Sequence, residues 1–291
     1  MSDSYELLDS GERRKLERVG PYLLDRPAPH AFWPRRAPKE LWDQPDATHE
    51  RHSNGGGQWH ENRRLPESWD IQFAGHQFRI KPTPFGHLGL FPEQRQNWEF
   101  LGSHIESWNR TRPATTPLEI LNLFAYTGGS TLSAARAGAR VVHVDAAKNV
   151  VGWARENATL SGLESAPVRW IAEDAHRFLK REVRRGRQYD GCILDPPSFG
   201  RGKSGQVWKI EKDLLPLLAT LRELLTPRPA FVLLSGHSPG FTPCVALQVA
   251  QGALRDLFDH MDRGEMLIPQ TQGPLPFPTG TWCRLWNDPE S

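Results

Sequence analysis

Cysteine is scarce in this sequence of 291 residues, which contains three: Cys192, Cys244 and Cys283. Three cysteines so far apart exclude a disulfide framework and a zinc cluster, so no metal site is expected. The sequence also lacks any run that approaches the roughly 18 apolar residues of a membrane helix. Its first residues show neither the basic nor the apolar region of a secretory signal. These absences predict a cytoplasmic protein that does not enter the membrane.

An excess of charge of one sign is absent as well. Lys and Arg total 36 against 34 for Asp and Glu, so the formal net charge is +2 at pH 7. Net charge therefore gives no reason to expect a nucleic-acid partner. With 38% hydrophobic and 24% charged residues, the composition is typical of a globular protein with a sizeable core. Proline (25), glycine (25) and tryptophan (11) are abundant and unevenly spread.

Residues 1–92 are turn-rich and are predicted to form an irregular α+β extension. Frequent prolines make continuous helices unfavourable there. Two short extended stretches, residues 69–73 and 76–81, are separated by Ala74 and Gly75, which predicts a β-hairpin. The run Asn-Gly-Gly-Gly at residues 54–57 predicts a turn or loop. The tryptophans of this segment are interpreted as packing anchors, with ligand stacking as the alternative.

The pattern changes in residues 93–291, which are predicted to form a second domain. A helix is predicted over residues 93–108. After a linker at 113–117, short apolar runs (118–124, 140–144, 168–171, 189–194 and 230–234) alternate with helical patterns (130–137, 148–160, 175–184, 210–225 and 244–258). This alternation predicts an α/β, Rossmann-like domain whose parallel sheet is covered on both faces. Ligands of such sheets bind beyond the carboxyl ends of the strands.

A glycine loop follows the first of these predicted strands. It consists of Phe124, Ala125, Tyr126, Thr127, Gly128, Gly129 and Ser130. Glycines at the start of a helix let the backbone approach a ligand closely. The next strand ends at Asp145, followed by Ala146, and a carboxylate at this place suits the two hydroxyls of a ribose. The alternative is that Asp145 caps the helix that begins near Lys148.

Acidic residues also end the next two predicted strands. Asp174, between Glu173 and Ala175, is placed to cap the following helix and to accept a hydrogen bond from an adenine amino group. The fourth strand ends in Asp195-Pro196-Pro197-Ser198-Phe199. The two prolines fix the backbone after the acid, remove two N–H donors and expose carbonyl oxygens. Since Phe199 adds an aromatic face for a flat substrate, this loop is predicted to be catalytic.

These motifs, in this order, resemble the class I S-adenosylmethionine-dependent methyltransferases, and more narrowly the bacterial 23S rRNA methyltransferase-like group. The resemblance rests on Leu-Asn-Leu-Phe-Ala-Tyr-Thr-Gly-Gly, on Val-Asp followed by Trp153, Ala154 and Asn157, and on Asp-Pro-Pro-Ser-Phe. It covers residues 85–234. The preceding segment Phe-Pro-Glu-Gln-Arg-Gln-Asn, residues 91–97, is similar to one that closes over the cofactor in that group, with Glu93 in place of the group's Asp.

The resemblance implies S-adenosyl-L-methionine as the cofactor and suggests which residues hold it. The glycine loop is expected to hold the methionine part, Asp145 with Ala146 the ribose, and Asp174 with Glu173 and Ala175 the adenine. Gln94, Asn97 and Asn157 are also expected at the cofactor site. Asp195, Pro196, Pro197 and Phe199 are expected to position the acceptor beside the methyl group.

The residues after the fifth predicted strand bear on which atom is methylated. Relatives that methylate carbon 5 of cytosine carry a cysteine nucleophile just after this strand. Here the stretch reads Leu-Leu-Ser-Gly-His-Ser-Pro-Gly, residues 233–240, without a cysteine, which favours a nitrogen or oxygen acceptor. His237 is the one candidate base there, and a hydrogen-bonded structural histidine is the alternative.

The substrate is predicted from the resemblance and from a basic stretch. Six basic residues fall between Arg177 and Arg187, and others continue to Lys212. Such a stretch is suited to RNA phosphates, with an ordinary solvated helix face as the alternative. Residues 200–205, Gly-Arg-Gly-Lys-Ser-Gly, predict a lid over the site. The leading hypothesis is methylation of a base of ribosomal RNA. The alternatives are a protein side chain or small molecule as acceptor, or a non-catalytic nucleotide-binding or RNA-binding protein.

Overall fold

The computed structural model describes residues 3–52, 56–201 and 207–289. Parts of two predicted segments lie outside these residues: positions 54–55 of the glycine run and positions 202–205 of the lid. The chain divides into two compact units. Unit 1 consists of Met1–Pro92 and Leu267–Pro278, and unit 2 of Glu93–Met266 and Thr279–Ser291.

Within the described residues, unit 1 contains a sheet of five strands in sequence order. They are β1 (Tyr5–Gly11), β2 (Arg14–Val19), β3 (Tyr22–Pro27), β4 (Ala47–Arg51) and β5 (Gly57–Glu61). Neighbouring strands are antiparallel except β3 and β4, which are parallel. A short helix, α1 (Lys39–Trp42), lies between β3 and β4 in sequence. The strands β6 (Trp69–Phe73) and β7 (His76–Ile80) form an antiparallel hairpin, at the place where the sequence predicts one.

The turns of unit 1 explain how a proline-rich segment still forms strands. The prolines of residues 1–91 fall in turns, in loops or at the last residue of β3, where a missing N–H donor costs no ladder hydrogen bond. Glu12 and Arg13 join β1 to β2 with φ of 51° and 66°. Two successive left-handed residues give the tight turn whose twist matches that of the flanking strands.

A buried ion pair lies in the sheet of unit 1. Glu17 on β2 is inaccessible to solvent and accepts hydrogen bonds from Arg26 Nε (2.6 Å) and Arg26 Nη2 (2.8 Å). The Tyr5 hydroxyl donates to it as well (2.8 Å). Burial by itself would raise the pKa of Glu17, but the charges of Arg26 and Lys15 and these hydrogen bonds outweigh burial and lower the pKa from 4.5 to about 2. The ionised pair therefore stabilises the folded sheet.

Glu17→Gln tests this ion pair, because it leaves Arg26 charged and buried without an anion. We expect the free energy of unfolding of the full chain at pH 7 to fall by about 3 to 5 kcal/mol, measured by denaturant unfolding. Glu67→Gln, an exposed glutamate of the same unit, should change it by less than about 0.5 kcal/mol.

The same comparison has a defined pH dependence. A carboxyl with a lowered pKa stabilises the folded state above its unfolded pKa and loses this effect as the pH falls through its folded pKa. The difference between the wild-type chain and Glu17→Gln should therefore be full above pH 4.5 and shrink as the pH approaches 2. A difference that stays constant over this range would show that the charge of Glu17 is not its source.

Unit 2 is built around the predicted parallel sheet. Its strands are β8 (Glu119–Leu123), β9 (Arg140–Asp145), β10 (Val168–Ala172), β11 (Gly191–Leu194) and β14 (Phe231–Gly236), together with residues 260–266 of β15 (His260–Ile268) and residues 279–286 of β16 (Phe277–Trp286). Two short antiparallel strands, β12 (Phe199–Arg201) and β13 (Val207–Lys209), form a separate ribbon. The order of the large sheet is β10-β9-β8-β11-β14-β16-β15 within the described residues.

The first five strands of this order are parallel, and β16 is antiparallel to β14. The helices between them are α3 (Gly129–Arg136), α4 (Lys148–Leu160), α5 (Ala175–Arg184), α6 (Ile210–Arg222) and α7 (Pro243–Leu254), and α2 (Arg95–Arg110) precedes β8. This architecture confirms the predicted Rossmann-like fold. Because the chain order reverses between β8 and β11, a crevice is expected at the carboxyl ends of these two strands.

Apolar side chains explain why these segments form a sheet with helices packed against it. All residues of β11 and β14 are buried, as central strands of a parallel sheet require. The helix α2 buries Trp98, Leu101, Ile105 and Trp108, which the sequence places on one face. Among the described residues, no helix combines the length and the apolar character that crossing a lipid bilayer requires.

Candidate active site

The loop after β8 has a strained backbone. Phe124, Tyr126 and Gly128 adopt left-handed conformations, with φ of 56°, 48° and 91°. For the two aromatic residues this conformation costs on the order of 1 kcal/mol or more each, and such strain persists mainly where the surrounding structure requires it. Ala125 and Thr127 lie between them and are buried. The predicted glycine loop is therefore a tightly wound segment at the carboxyl end of β8.

The second glycine of the loop is required by packing. A Cβ atom on Gly129 would overlap the ring of Trp98 on α2. The Trp98 Nε1 atom also donates a hydrogen bond to Ser130 Oγ (3.1 Å). Helix α2 therefore packs directly against the start of α3 and supports the loop from behind.

Asp145, at the end of β9, holds the same loop from the other side. Its two carboxylate oxygens accept hydrogen bonds from the Tyr126 N–H (3.0 Å) and the Ala147 N–H (2.9 Å). Burial raises the pKa of Asp145, and these two hydrogen bonds oppose the rise. Asn157 on α4 is fully buried and donates to the Thr127 carbonyl (2.9 Å). Asn157 thus supports the loop from inside the protein. Ala146, next to Asp145, is exposed.

Helix α5 begins shortly after β10, at the predicted adenine-binding residues. Asp174 is the N-cap, and its Oδ1 accepts a hydrogen bond from the Arg177 N–H (3.0 Å). The capping role predicted for Asp174 is therefore present in the structure. Glu173 forms an ion pair with Arg181 (2.5 Å), which engages its carboxylate on α5. Ala175 is buried as the first residue of the helix.

Asp195 follows β11 and is held by a residue far away in sequence. Gln94 Nε2 donates to Asp195 Oδ2 (3.0 Å) and to Ser235 Oγ (3.1 Å). The other carboxylate oxygen, Asp195 Oδ1, is shielded from solvent and has no hydrogen-bond partner within the described residues. Burial raises the pKa of Asp195, and the charge of His237 counteracts the rise. An unsatisfied buried acceptor is costly, so this atom is suited to a donor or cation brought by a ligand.

A chain of hydrogen bonds fixes the orientation of Gln94. Asn97 Nδ2 donates to Gln94 Oε1 (2.7 Å), and Arg284 Nη2 on β16 donates to Asn97 Oδ1 (2.8 Å). Because the Gln94 oxygen is engaged by Asn97, its NH₂ group is directed at Asp195 and Ser235. Asn97 is fully buried, and its hydrogen bond orients Gln94.

The remainder of the Asp-Pro-Pro-Ser-Phe loop is tied to neighbouring loops. Pro196 is buried and Pro197 exposed, and the Pro197 carbonyl accepts a hydrogen bond from Trp208 Nε1 (2.6 Å). The Ser238 hydroxyl donates to Ser198 Oγ (2.8 Å). Phe199 is 51% exposed. The loop therefore has a fixed backbone and presents an aromatic face to the outside.

His237 lies between two carboxyl groups. Its Nε2 is 3.2 Å from Glu93 Oε1, and its Nδ1 is 4.0 Å from Asp195 Oδ1. Reasoning from the sequence identified His237 and Glu93 but missed their proximity. It also missed Trp98, Ser235 and Arg284, because no motif marks them and because Arg284 lies on a strand that the sequence pattern did not predict.

An apolar cavity of about 730 Å³ opens beside Phe199. Its apolar lining is contributed by Phe199, Ile210, Leu214, Leu215, Phe241, Val245 and Val249. Its polar lining comes from Ser198, Lys209, Glu211 and Ser238. A cavity with an aromatic wall and few polar groups is suited to a flat organic group.

A sequence model of the family described as S-adenosylmethionine-dependent methyltransferase matches residues 45–256. This match covers more than half of the chain, and the chain belongs to the S-adenosylmethionine-dependent methyltransferase family. The family and the cofactor predicted from the sequence are confirmed by this match.

Solved structures with the same fold agree with the family. The chain is similar to a SAM-dependent methyltransferase from Agrobacterium tumefaciens, with 37% identity, a TM-score of 0.90, and coverage of 99% of this chain and 91% of that one. It also resembles a Streptococcus mutans structure with 17% identity, a TM-score of 0.74, and coverage of 97% and 75%. The second likeness concerns the fold alone.

Curated relatives carry a more specific name. The chain is 30% identical over 155 residues to ribosomal RNA large subunit methyltransferase K/L of Shewanella frigidimarina, which is 53% of this chain and 20% of the relative. It is 30% identical over 179 residues to the protein of the same name from Syntrophotalea carbinolica, which is 61% and 23%. The chain thus matches about a fifth of the length of these curated relatives.

The residues at the crevice fit S-adenosylmethionine. Acidic side chains stand at the ends of β9 and β11 and directly after β10, while the strained glycine loop follows β8. Asp145 keeps lone pairs beyond the two that it uses for the loop, which suits ribose hydroxyls. The unsatisfied Asp195 Oδ1 suits the neighbourhood of a positively charged sulfonium.

Gly129→Ala tests the packing beneath the loop. The added methyl group would displace Trp98, and we expect a loss of about 1 to 3 kcal/mol of stability, seen as a lower melting temperature. Gly152→Ala is the matched control, because Gly152 lies on α4 with open space around it. Alanine there should leave stability unchanged or raise it by up to about 1 kcal/mol. Equal effects of the two changes would contradict the packing role of Gly129.

Proposed function

We propose that this chain transfers the methyl group of S-adenosylmethionine to a base of large-subunit ribosomal RNA. The observation that carries the proposal is the unsatisfied Asp195 Oδ1, in the same loop as an exposed Phe199 that lines an apolar cavity. Family membership supports the methyl transfer, and the names of the curated relatives support ribosomal RNA as the substrate. A cytoplasmic location follows from this proposal.

Each part of the cofactor is assigned to the residues that follow one strand of the parallel sheet. We propose that the loop from Phe124 to Ser130 holds the methionine part, Asp145 and Ala146 the ribose, and Asp174 and Ala175 the adenine. Glu173 supports this edge through its ion pair with Arg181. Gln94 orients Asp195, while Asn97 and Asn157 act from beneath as positioning residues.

The acceptor is proposed to be an exocyclic nitrogen of the base. Asp195 Oδ1 and the Pro196 carbonyl would accept the hydrogens of an amino group, and Phe199 would stack on the ring. This arrangement directs the nitrogen lone pair at the methyl group, and positioning supplies most of the rate enhancement of such a displacement. The N–C bond would form as the bond between sulfur and the methyl group breaks, with S-adenosylhomocysteine as the leaving group. The nitrogen would release a proton towards Asp195 and His237, whose Oδ1 and Nδ1 atoms are 4.0 Å apart.

The cysteines favour nitrogen over carbon as the acceptor. Methylation at carbon 5 of a pyrimidine needs a thiolate nucleophile. Burial raises the pKa of the Cys192 thiol well above its usual value and that of Cys283 to about 12. Cys244 is exposed on α7, two residues beyond the loop that follows β14. The two buried thiols stay protonated at neutral pH, and residues 233–240, at and after the end of β14, include no cysteine. Both observations favour the Asp195 loop as the site of the reaction.

Asp145→Ala and Asp195→Asn should separate binding from turnover. Asp145→Ala removes the proposed ribose acceptor and a support of the glycine loop, so calorimetry with S-adenosylmethionine should show affinity at least about tenfold weaker. Asp195→Asn replaces an acceptor by an amide of similar shape. The affinity of this variant for S-adenosylmethionine should stay within a few-fold of wild type, and its turnover rate should fall by about 10²-fold or more. The reverse pattern would overturn the two assignments.

The proposed acceptor is tested in cells. Mass spectrometry of nucleosides from large-subunit rRNA should show one methylated base in wild type that is missing from a strain lacking this gene. A plasmid copy of the wild-type gene should restore it, and an Asp195→Asn copy should not. An identical rRNA profile in both strains would defeat the rRNA proposal and favour a protein side chain or a small molecule.

A further inference from the structure

A second cavity, of about 450 Å³, lies between α5 and β13. Its basic lining comes from one face of α5, and Trp208 on β13 forms an aromatic wall. The basic residues are Arg177, Lys180 and Arg184, accompanied by His176. Positions spaced by three and four residues lie on the same side of a helix. The three cations therefore line one side of the cavity over about 10 Å of helix.

Ion pairs divide the basic residues of α5 and its end into two sets. The fully buried Glu182 lies within 4.0 Å of the guanidinium groups of Arg181, Arg185 and Arg187. In contrast, no ion pair involves Arg177, Lys180 or Arg184 within the part of the chain that the structure describes. The first set neutralises a buried carboxylate. The positive charges of the second set line the cavity and are not neutralised by an ion pair among the described residues.

Two acidic residues also line this cavity, and both serve the starts of helices. Asp174 accepts a hydrogen bond from the Arg177 N–H (3.0 Å), and Asp213 Oδ2 accepts one from the Lys209 N–H (2.6 Å). Each carboxylate has thus one oxygen committed to a backbone donor. Three cations against two such carboxylates leave the cavity with an excess of positive charge, which suits an anionic ligand.

Trp208 connects this cavity to the Asp195 loop. Its indole N–H donates to the Pro197 carbonyl (2.6 Å), and its ring lies 5.1 Å from that of Phe124, centroid to centroid. On the cavity side its ring lies 5.5 Å from His176. A ligand in the basic cavity is therefore one side chain away from the loop that receives the acceptor.

We propose that this cavity binds backbone phosphates of the RNA substrate next to the methylated nucleotide. Arg177, Lys180 and Arg184 would each neutralise phosphate charge, and Trp208 would couple the bound strand to the Asp195 loop. The row of three cations is long enough for more than one phosphate, and its binding is independent of base identity. The inference rests on the proposed function, because it assumes that the acceptor is RNA.

The test replaces the three cations together in the full chain: Arg177→Gln, Lys180→Gln and Arg184→Gln. The matched control replaces three exposed basic residues elsewhere in unit 2: Arg110→Gln, Arg155→Gln and Arg255→Gln. The probe is a fluorescent single-stranded RNA of about 20 nucleotides and mixed sequence. Its Kd is measured from 50 to 300 mM KCl.

The cavity variant should bind this RNA about tenfold more weakly at the lowest salt, and the slope of log Kd against log salt should fall by about 2. The control, with the same net charge, should keep the slope within about 0.5 of wild type. Calorimetry should show equal S-adenosylmethionine affinity in both variants and wild type, and equal melting temperatures exclude a folding defect.

Three results would overturn the inference. Equal losses of RNA affinity in the cavity variant and the control would show that general charge, and not the cavity, binds RNA. A loss of S-adenosylmethionine affinity in the cavity variant would assign the cavity to the cofactor. The third result is that the wild-type chain binds a 20-residue polyglutamate but not the RNA, and that the cavity variant binds the polyglutamate more weakly. This result would favour an acidic protein partner.

Failure of this inference is distinguishable from failure of the proposed function. If the deletion strain has an altered rRNA profile but the cavity variant binds RNA like wild type, this inference fails and the proposed function stands. An unaltered rRNA profile would defeat the proposed function, whatever the RNA affinity of the variants.

Discussion

The hydrogen bond from Gln94 to Asp195 organises the candidate active site. Gln94 comes from the segment before α2, Asp195 from the end of β11, and the bond between them joins residues 101 positions apart. Behind Gln94, Asn97 and Arg284 complete a chain that reaches β16. This chain occupies one oxygen of Asp195 and leaves the other for a ligand. A carboxylate held in this way is pre-oriented, which is what an enzyme needs at a reacting group.

Ion pairing determines which basic residues of α5 keep a charge that a ligand can use. A basic stretch in a sequence is ambiguous, because the same residues serve either a solvated helix face or an anionic partner. Here the buried Glu182 engages the arginines of one set, whereas Arg177, Lys180 and Arg184 line a cavity. Near-neutral net charge is therefore compatible with a local excess of positive charge next to the Asp195 loop.

Prediction from the sequence succeeded where the pattern was local. The apolar runs of β8, β9, β10, β11 and β14 were found to within about two residues, as were the Gly-Gly turn and the Asp-Pro-Pro-Ser-Phe loop. The five-stranded sheet of unit 1 was not predicted. Its buried positions include Glu17 and Arg26, which interrupt the alternation of apolar and polar residues that marks a strand. The strand β16 escaped prediction because Pro278 and Gly280 lie near its start.

By itself, the sequence determined the Rossmann-like fold, the methyltransferase family and the acidic residues at successive strand ends, because strand periodicity and turn chemistry are properties of neighbouring residues. Only the tertiary structure decided which side chains meet at that edge. The partners of Asp195 come from the segment before α2, from β14 and from the loop after it. Which arginines are neutralised depends on the burial of Glu182. Such contacts join residues distant in the chain, so they exist only once the sheet has brought its strands together.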